Sequence, residues 1–423
     1  MNRFGWSRAC VSAAVCVAMT MAAGVVRAED GGEDSLSLKI AKALRSDRLF
    51  VRAGGIYVKI KTKSGDTYDV TGPVMTTAEL ENVFYNNTPD DAELTALLAK
   101  YPNVDFTHGV DRPIDVFYTL FSRQVSGSVP DGFLLDPTFG LPLLTNYLRS
   151  QNLVGIGTPP GITGAASPEA GTAGVSLGYY LDDDYKWLVE SYILAAPIST
   201  SVSVRGTAPN LTGGGTHPIA INGAKIITTK IVPPLVMFGR YWGDKSAKFR
   251  PYTGVAAMYA MFMDTKATQT LNNYVGGSNP GDTTVSLKNA FGMGPVVGMK
   301  YQYDDKWHAS LNVGLVKLKT QATLTTRNTY IASGAAILND LGAISEKIAT
   351  GEGVYGTPAG SGPALARDVV VRNGGLVTMI TKGVIADRFA AGQGDGKTLG
   401  TYVRKTDTEL TNTIFMFSVG RTF

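Results

Sequence analysis

The sequence predicts an all-β protein, an eight-stranded antiparallel transmembrane β-barrel with long extracellular loops. Three observations carry that expectation. Apolar and polar residues alternate in segments of about ten, the length and pattern of tilted strands that cross a bilayer. Short polar turns join these segments on one side and long connections on the other, the asymmetry of outer-membrane barrels. Beyond the N-terminal stretch no run approaches the ~18 apolar residues of a spanning helix, and mean hydropathy is only +0.03.

The first element reads as a targeting segment. Arg3 and Arg8 give a basic start, Ala9 to Ala23 is apolar, and Val26-Arg27-Ala28 places small residues at −3 and −1 of a cleavage site. Removal of 1–28 would leave a single barrel domain over 29–423, which is 395 residues (423 − 28). Both cysteines, Cys10 and Cys16, fall inside the removed part, so neither disulfides nor thiolate metal sites are expected. His108, His217 and His308 are far apart, and neither a metal nor another cofactor is expected. Three basic residues leave with the segment, so 36 basic face 35 acidic side chains. A balance of +1 gives no reason to expect nucleic acid as a partner.

The strands follow in order at roughly 48–62, 172–181, 187–201, 226–241, 250–264, 290–303, 307–321 and 411–423. The short turns are Asp182-Asp183-Asp184-Tyr185-Lys186, Gly243-Asp244-Lys245-Ser246 and Asp304-Asp305-Lys306. The long connections run over about 64–171, 205–223, 266–286 and 325–408. An even strand count puts both termini on the short-turn side, the periplasm of a Gram-negative cell. Lipid offers no water to the backbone, so strands can span only as a closed sheet with an apolar outer face. Val255, Ala257, Tyr259, Met261 and Met263 supply that face on the fifth strand. Ala309, Leu311, Val313 and Leu315 do so on the seventh, and Phe415, Phe417, Val419 and Phe423 on the last. Tyr179, Trp187, Tyr241, Trp242, Tyr301, Tyr303 and Trp307 cluster near the turns as an interfacial girdle would.

Several of these segments carry a resemblance. Arg52-Ala53-Gly54, Leu177-Gly178-Tyr179 through Val189-Glu190, Val232-Pro233-Pro234, Arg250-Pro251-Tyr252-Thr253-Gly254 and the C-terminal Phe415–Phe423 resemble the OmpW family, which includes the alkane-uptake protein AlkL. The similarity covers the strands, about half of the chain. It departs at Leu194-Ala195-Ala196-Pro197-Ile198, where the family usually has Leu-Ala-Ala-Thr-Pro-Phe, at Arg421, and in the much longer first and last outer loops. The resemblance implies an outer-membrane location amid lipid and lipopolysaccharide, with lateral release of small hydrophobic solutes. It also implies that Phe423 is the aromatic end read by the barrel-assembly machinery.

The opposite strand face points into the bore, which eight strands leave narrow enough for side chains to fill. Near the turns the inward set is polar: Arg52, Glu190, Lys300, Gln302 and His308, with Ser310, Asn312 and Ser418. Toward the loops it is apolar: Leu194, Leu235, Met237, Met258, Phe262, Val316, Leu318, Ile414 and Met416. An apolar funnel on a polar floor favours hydrophobic solutes over ions and makes a sideways exit cheaper than passage through the floor. Pro233 and Pro234 mark the expected lateral opening, because proline cannot donate to a sheet ladder. The rival reading is a structural or receptor barrel that acts through its loops.

The outer loops also carry signals. Thr88-Pro89-Asp90-Asp91 reads as the start of a helix reaching about Lys100. Residues 115–155 are too apolar for a disordered tail, and a helical stretch is expected near 335–348. Together these predict an outer cap. The stretch Ala391-Gly392-Gln393-Gly394-Asp395-Gly396-Lys397-Thr398 formally matches a phosphate-binding loop, which requires a strand before it and a helix after it. Neither is expected there. No serine can be placed beside a histidine base, so an enzyme is not expected.

Overall fold

The computed structural model describes residues 47–86, 154–159, 161–209, 216–331 and 376–423. The segment 1–28, the helix expected from Thr88, most of 115–155 and the stretch near 335–348 lie outside the described residues.

The wall is built from β1 (Leu49–Ser64), β2 (Glu169–Tyr180), β3 (Trp187–Leu194), β4 (Ile198–Arg205), β5 (Lys225–Val232), β6 (Leu235–Tyr241), β7 (Phe249–Ala267), β8 (Ala290–Gln302), β9 (Trp307–Thr326) and β10 (Tyr402–Thr422). At the turn end the ladder runs β6-β3-β2-β1-β10-β9-β8-β7, and β7 pairs back onto β6. Every pairing is antiparallel. Among the described residues the ring is therefore closed at this end. β3 and β4 are successive halves of one stave, and β5 and β6 of another, so the staves number eight. At the loop end β4 pairs with β5 on one side and with Thr163–Ala166 on the other, while Thr283–Leu287 extends the wall against β9.

Alternation decides which face is which. Val175, Phe238, Val255, Tyr259, Phe291, Val297, Leu311, Phe415 and Phe417 stand exposed on the outer face. Their strand neighbours Ser176, Met237, Ala256, Met258, Val296, Asn312 and Met416 are buried inside. Such a contiguous apolar exterior fits hydrocarbon and would be a liability in water. The turns are held by their acids. Asp182 accepts from the backbone N–H of Lys186 and Trp187, and Asp304 from those of Lys306 and Trp307.

Four expectations need correction. The last strand begins at Tyr402, not 411, and the seventh runs on to Thr326. The extension of the last strand alternates polar with polar (Arg404, Thr406 and Thr408 against Lys405, Asp407 and Glu409), so no hydrophobic period marks it, and that of the seventh adds only Ala322 and Leu324 as apolar inward residues. The strands expected at 187–201 and 226–241 are each interrupted, at 195–197 and 233–234. Tyr241 is not part of the girdle; it is buried in the bore, on the same parity as Leu235 and Met237. The exposed belt is instead Trp187, Trp242, Phe249, Tyr303, Trp307 and Phe423. Finally, the described part of the outer region holds two helices that the alternation did not signal, α1 (Thr77–Asn86) and, beyond a short α2 (Gln269–Tyr274), α3 (Leu376–Ala390). The helix α3 precedes the glycine-rich 391–398 stretch and β10 follows it, the reverse of a phosphate-binding loop.

Candidate functional site: an apolar bore above a polar plug

The lower bore is filled. Arg52, from β1, is 1% exposed and lies at the centre of a hydrogen-bonded cluster. Its Nη1 donates to Glu190 Oε2 at 2.7 Å, its Nη2 to the Tyr241 hydroxyl at 2.9 Å, and its Nε to His308 Nε2 at 2.9 Å. The His308 ring therefore accepts at Nε2 and carries its proton on Nδ1. Ser176 donates to the second Glu190 oxygen at 2.6 Å. Alongside, Lys300 Nζ donates to the Tyr180 hydroxyl (3.2 Å), Asn312 Nδ2 to the Tyr192 hydroxyl (3.0 Å), and Ser310 shares a hydrogen with Ser418 (2.8 Å). A charge so deeply buried is tolerable only when paired and hydrogen-bonded, and Arg52 and Glu190 meet both conditions.

Gln302 stands apart from this cluster. It is half-buried at the turn, where its Nε2 donates to the Asp304 and Trp307 carbonyls. Other members were not singled out from the sequence. Arg250 is 1% exposed beside the Tyr241 ring, and Tyr180, Tyr192 and Tyr252 are buried with it. The signal was available for Tyr192, which shares the inward parity of Glu190, and for Arg250 and Tyr252, which share that of Met258.

Above the plug the bore is open and oily. A cavity of about 170 Å³ is lined by Leu194, Leu235, Met258, Phe262, Leu318, Ile414 and Met416. Met237 and Val316, also expected to face inward, are fully buried in the packed apolar layer beside it. At its lower end the cavity reaches Tyr192 and Met416, and its walls include none of Arg52, Glu190, Lys300 or His308. It therefore stops above the plug.

One side of the wall is discontinuous at cavity height. The ladder between β3 and β6 ends at Tyr192↔Leu235, and that between β4 and β5 begins at Ile198↔Ile231. Between these pairs, residues 193–197 and 232–234 make no ladder contact with each other. Pro233 and Pro234 lack the donors that would close it, as does Pro197 opposite. On the far side the sheet continues, because the Tyr259 N–H donates to the Pro234 carbonyl at 3.0 Å and Val232 pairs with Met261. Pro233 lines the cavity, while Ala195, Ala196 and Pro197 are exposed outside. From Trp187 to Leu194 is seven steps. At ~3.4 Å per residue and ~40° of tilt this puts the seam roughly 18 Å above the turns, within an apolar band about 25 Å tall.

Beyond the barrel, α1 and α3 pack together in the outer region. Arg388 near the end of α3 grips Glu79 of α1 with two bonds (Nε to Oε1 2.7 Å, Nη2 to Oε2 3.0 Å). It also donates to the Val74 and Leu399 carbonyls and the Tyr402 hydroxyl. Burial alone would raise the Glu79 carboxyl, but the bonds from Arg388 and Thr76 outweigh it and hold the group below its ordinary value.

Closed antiparallel staves, an apolar outer face and a turn-side aromatic belt define an outer-membrane β-barrel. The family and sequence comparisons agree with that class. The OmpW family model matches residues 162–335. Outer membrane protein W of Vibrio cholerae is 29% identical over 150 residues, covering 36% of this chain and 60% of that protein. Outer membrane protein W of Escherichia coli K12 is 33% identical over 97 residues, 23% of this chain and 43% of that one. The chain thus spans 60% or less of the length of these curated relatives. The crystal structure of the outer membrane protein OprG from Pseudomonas aeruginosa aligns with 89% of this chain and 95% of its own, at 12% identity and a TM-score of 0.40. Over residues 162–335 the chain is similar to OmpW-family outer-membrane proteins.

Proposed function

We propose that the barrel passes small hydrophobic molecules from the cell exterior and releases them sideways into the outer membrane through the seam at 193–197 and 232–234. The observation that supports this most directly is the blind cavity: mainly apolar in its lower part, stopped below by the Arg52–Glu190 plug, and bordered by an unpaired stretch of wall. Each Å² of apolar ligand surface withdrawn from water contributes roughly 25 cal/mol, and the plug offers such a ligand no comparable environment. Lateral exit into lipid is then the downhill route.

In this reading the turns and both termini are periplasmic, after cleavage of residues 1–28. Phe423, exposed at the end of β10, contacts the barrel-assembly machinery, and the exterior meets lipid and lipopolysaccharide. The test is uptake of a panel of hydrophobic compounds by cells with and without the protein. Met258→Asp together with Phe262→Asp should abolish the protein-dependent part at equal barrel abundance; unchanged uptake would overturn the proposal. A second reading, a receptor barrel that works through its outer surface, is favoured by the built α1–α3 contact around Arg388. It predicts the opposite pattern, with deletion of α3 abolishing function and bore substitutions doing nothing.

A further inference from the structure

The upper wall of the cavity is not uniformly oily. Along β10 the inward residues read, from the loop end downward, Arg404, Thr406, Thr408, Leu410, Asn412, Ile414 and Met416, and all of them line the cavity. Arg404 is 2% exposed, which is unusual for a guanidinium at the rim of an apolar space. Its partners account for only part of it. The Nε donates to Thr158 Oγ1 and pairs with Asp69 Oδ1, both at 3.1 Å, and Nη1 reaches Thr326 Oγ1 only at 3.5 Å. The Nη2 nitrogen is buried without a hydrogen-bond partner among the described residues.

Asp69, for its part, is occupied. Its two oxygens also accept from the Thr158 N–H and hydroxyl, each at 2.8 Å. Arg404 is thereby fixed at its Nε side, which leaves its terminal edge under-satisfied, with one long bond at Nη1 and none at Nη2. A second orphan lies on the same cavity. The Tyr274 ring, 5% exposed at the end of α2, lines it, and its buried hydroxyl also has no partner. The loop that carries Tyr274 is locked in place: Asn272 donates to the Gly277 and Asn279 carbonyls and accepts from the Thr283 N–H.

An unpartnered buried donor is costly, and two on one cavity wall describe what is missing from it. The missing group must accept hydrogen bonds, match a planar two-nitrogen fork, and continue into an apolar body. A carboxylate suits that fork best, because guanidinium and carboxylate pair in a bidentate, charge-assisted way. We propose that Arg404 and Tyr274 form a headgroup site for an amphiphile with one carboxylate and an unbranched hydrocarbon tail, the tail lying in the cavity toward Ile414 and Met416. This rests on the transport reading and narrows its substrate class from hydrophobic molecules in general to carboxylate-headed chains.

The test uses the full chain in lipid nanodiscs and three radiolabelled probes of equal length: dodecanoate, its methyl ester and dodecane. Binding is measured by equilibrium dialysis against nanodiscs without protein. The wild type should hold dodecanoate most tightly. Arg404→Met should weaken dodecanoate by about tenfold or more, the usual scale for a lost charge-assisted bond, and leave ester and alkane within about twofold. Tyr274→Phe keeps the ring and removes only the hydroxyl. It should weaken dodecanoate severalfold, and it tests the site even if Arg404→Met fails to assemble. If both variants bind dodecanoate as the wild type does, or lose all three probes equally, the headgroup site is wrong while the oily bore stands. If the wild type binds none of the three above the empty nanodisc, the transport reading fails and the site with it.

Discussion

The lower and upper halves of this barrel use the same alternating strand and reach opposite ends. Below Tyr192 and Met416 the ladders are unbroken and the inward side chains interlock by hydrogen bonds around Arg52. Directly above them most inward side chains are apolar and part of the bore is empty, and two neighbouring staves break at one height. The lesson concerns rigidity. A plug of buried charges holds only if each partner is present, so it stops solutes by being over-determined. Around the seam the oily half has no such network, and it can lose a ladder contact there without stranding a charge.

That contrast can be broken most directly by removing one partner from each half. Arg52→Met leaves Glu190 and His308 buried without their donor. It should cost about 3–5 kcal/mol, as broken buried pairs do, read from guanidinium unfolding of the barrel in micelles. Leu318→Ala enlarges a cavity that already exists and leaves nothing unpaired. Its cost should stay near ~2 kcal/mol, the low end for buried leucine. Equal costs would mean that the plug is ordinary packing.

A finer probe is Tyr241→Phe, which deletes only the hydroxyl that Arg52 reaches at 2.9 Å. About 1–2 kcal/mol should be lost. No measurable loss would return Tyr241 to the lipid face, where its neighbour Trp242 stands.

Outside the barrel the Glu79–Arg388 grip should matter least, at about 1 kcal/mol for Glu79→Gln, and its pH dependence has a definite sign. Because the folded carboxyl lies below its ordinary value, the contact contributes fully above the unfolded value of about 4.3. It fades as pH falls through the lower, folded one. Hydrogen-exchange protection factors in α1 and α3, taken relative to the intrinsic rate at each pH, should therefore match between pH 8 and 5 and fall toward pH 3, less so in Glu79→Gln. Protection that is unchanged at pH 3 would remove Glu79 from the account.

How much of this was legible in the sequence follows from where lipid acts. In the membrane-facing length one face must be apolar, so the period shows, and the inward residues from Arg52 to Met416 could be placed by parity. Where β10 runs on toward the loops both faces are polar, and the alternation from Arg404 to Glu409 left no hydrophobic trace. Tyr241 was misplaced because its amphipathic ring suits an interface and a bore equally, although Leu235 and Met237 already fixed its side. Pro233 and Pro234 flagged a weak point in one stave. Only the register revealed that Pro197 breaks the adjacent stave at the same height. Arg404 gave no signal, since its role depends on Tyr274, 130 residues away in sequence and brought to the same cavity by the fold.

The seam is the central claim, and one labelling experiment addresses it. Residues 29–423 contain no cysteine, so with Cys10 and Cys16 also replaced, Ala196→Cys gives a single thiol on the outer side of the seam. Val297→Cys places the same thiol on the lipid face of β8, away from it. Attachment of a bulky maleimide to the first should remove most of the uptake of a hydrophobic probe into proteoliposomes, while the second retains it. Uptake that survives the label at position 196, or falls equally with both labels, would contradict lateral release.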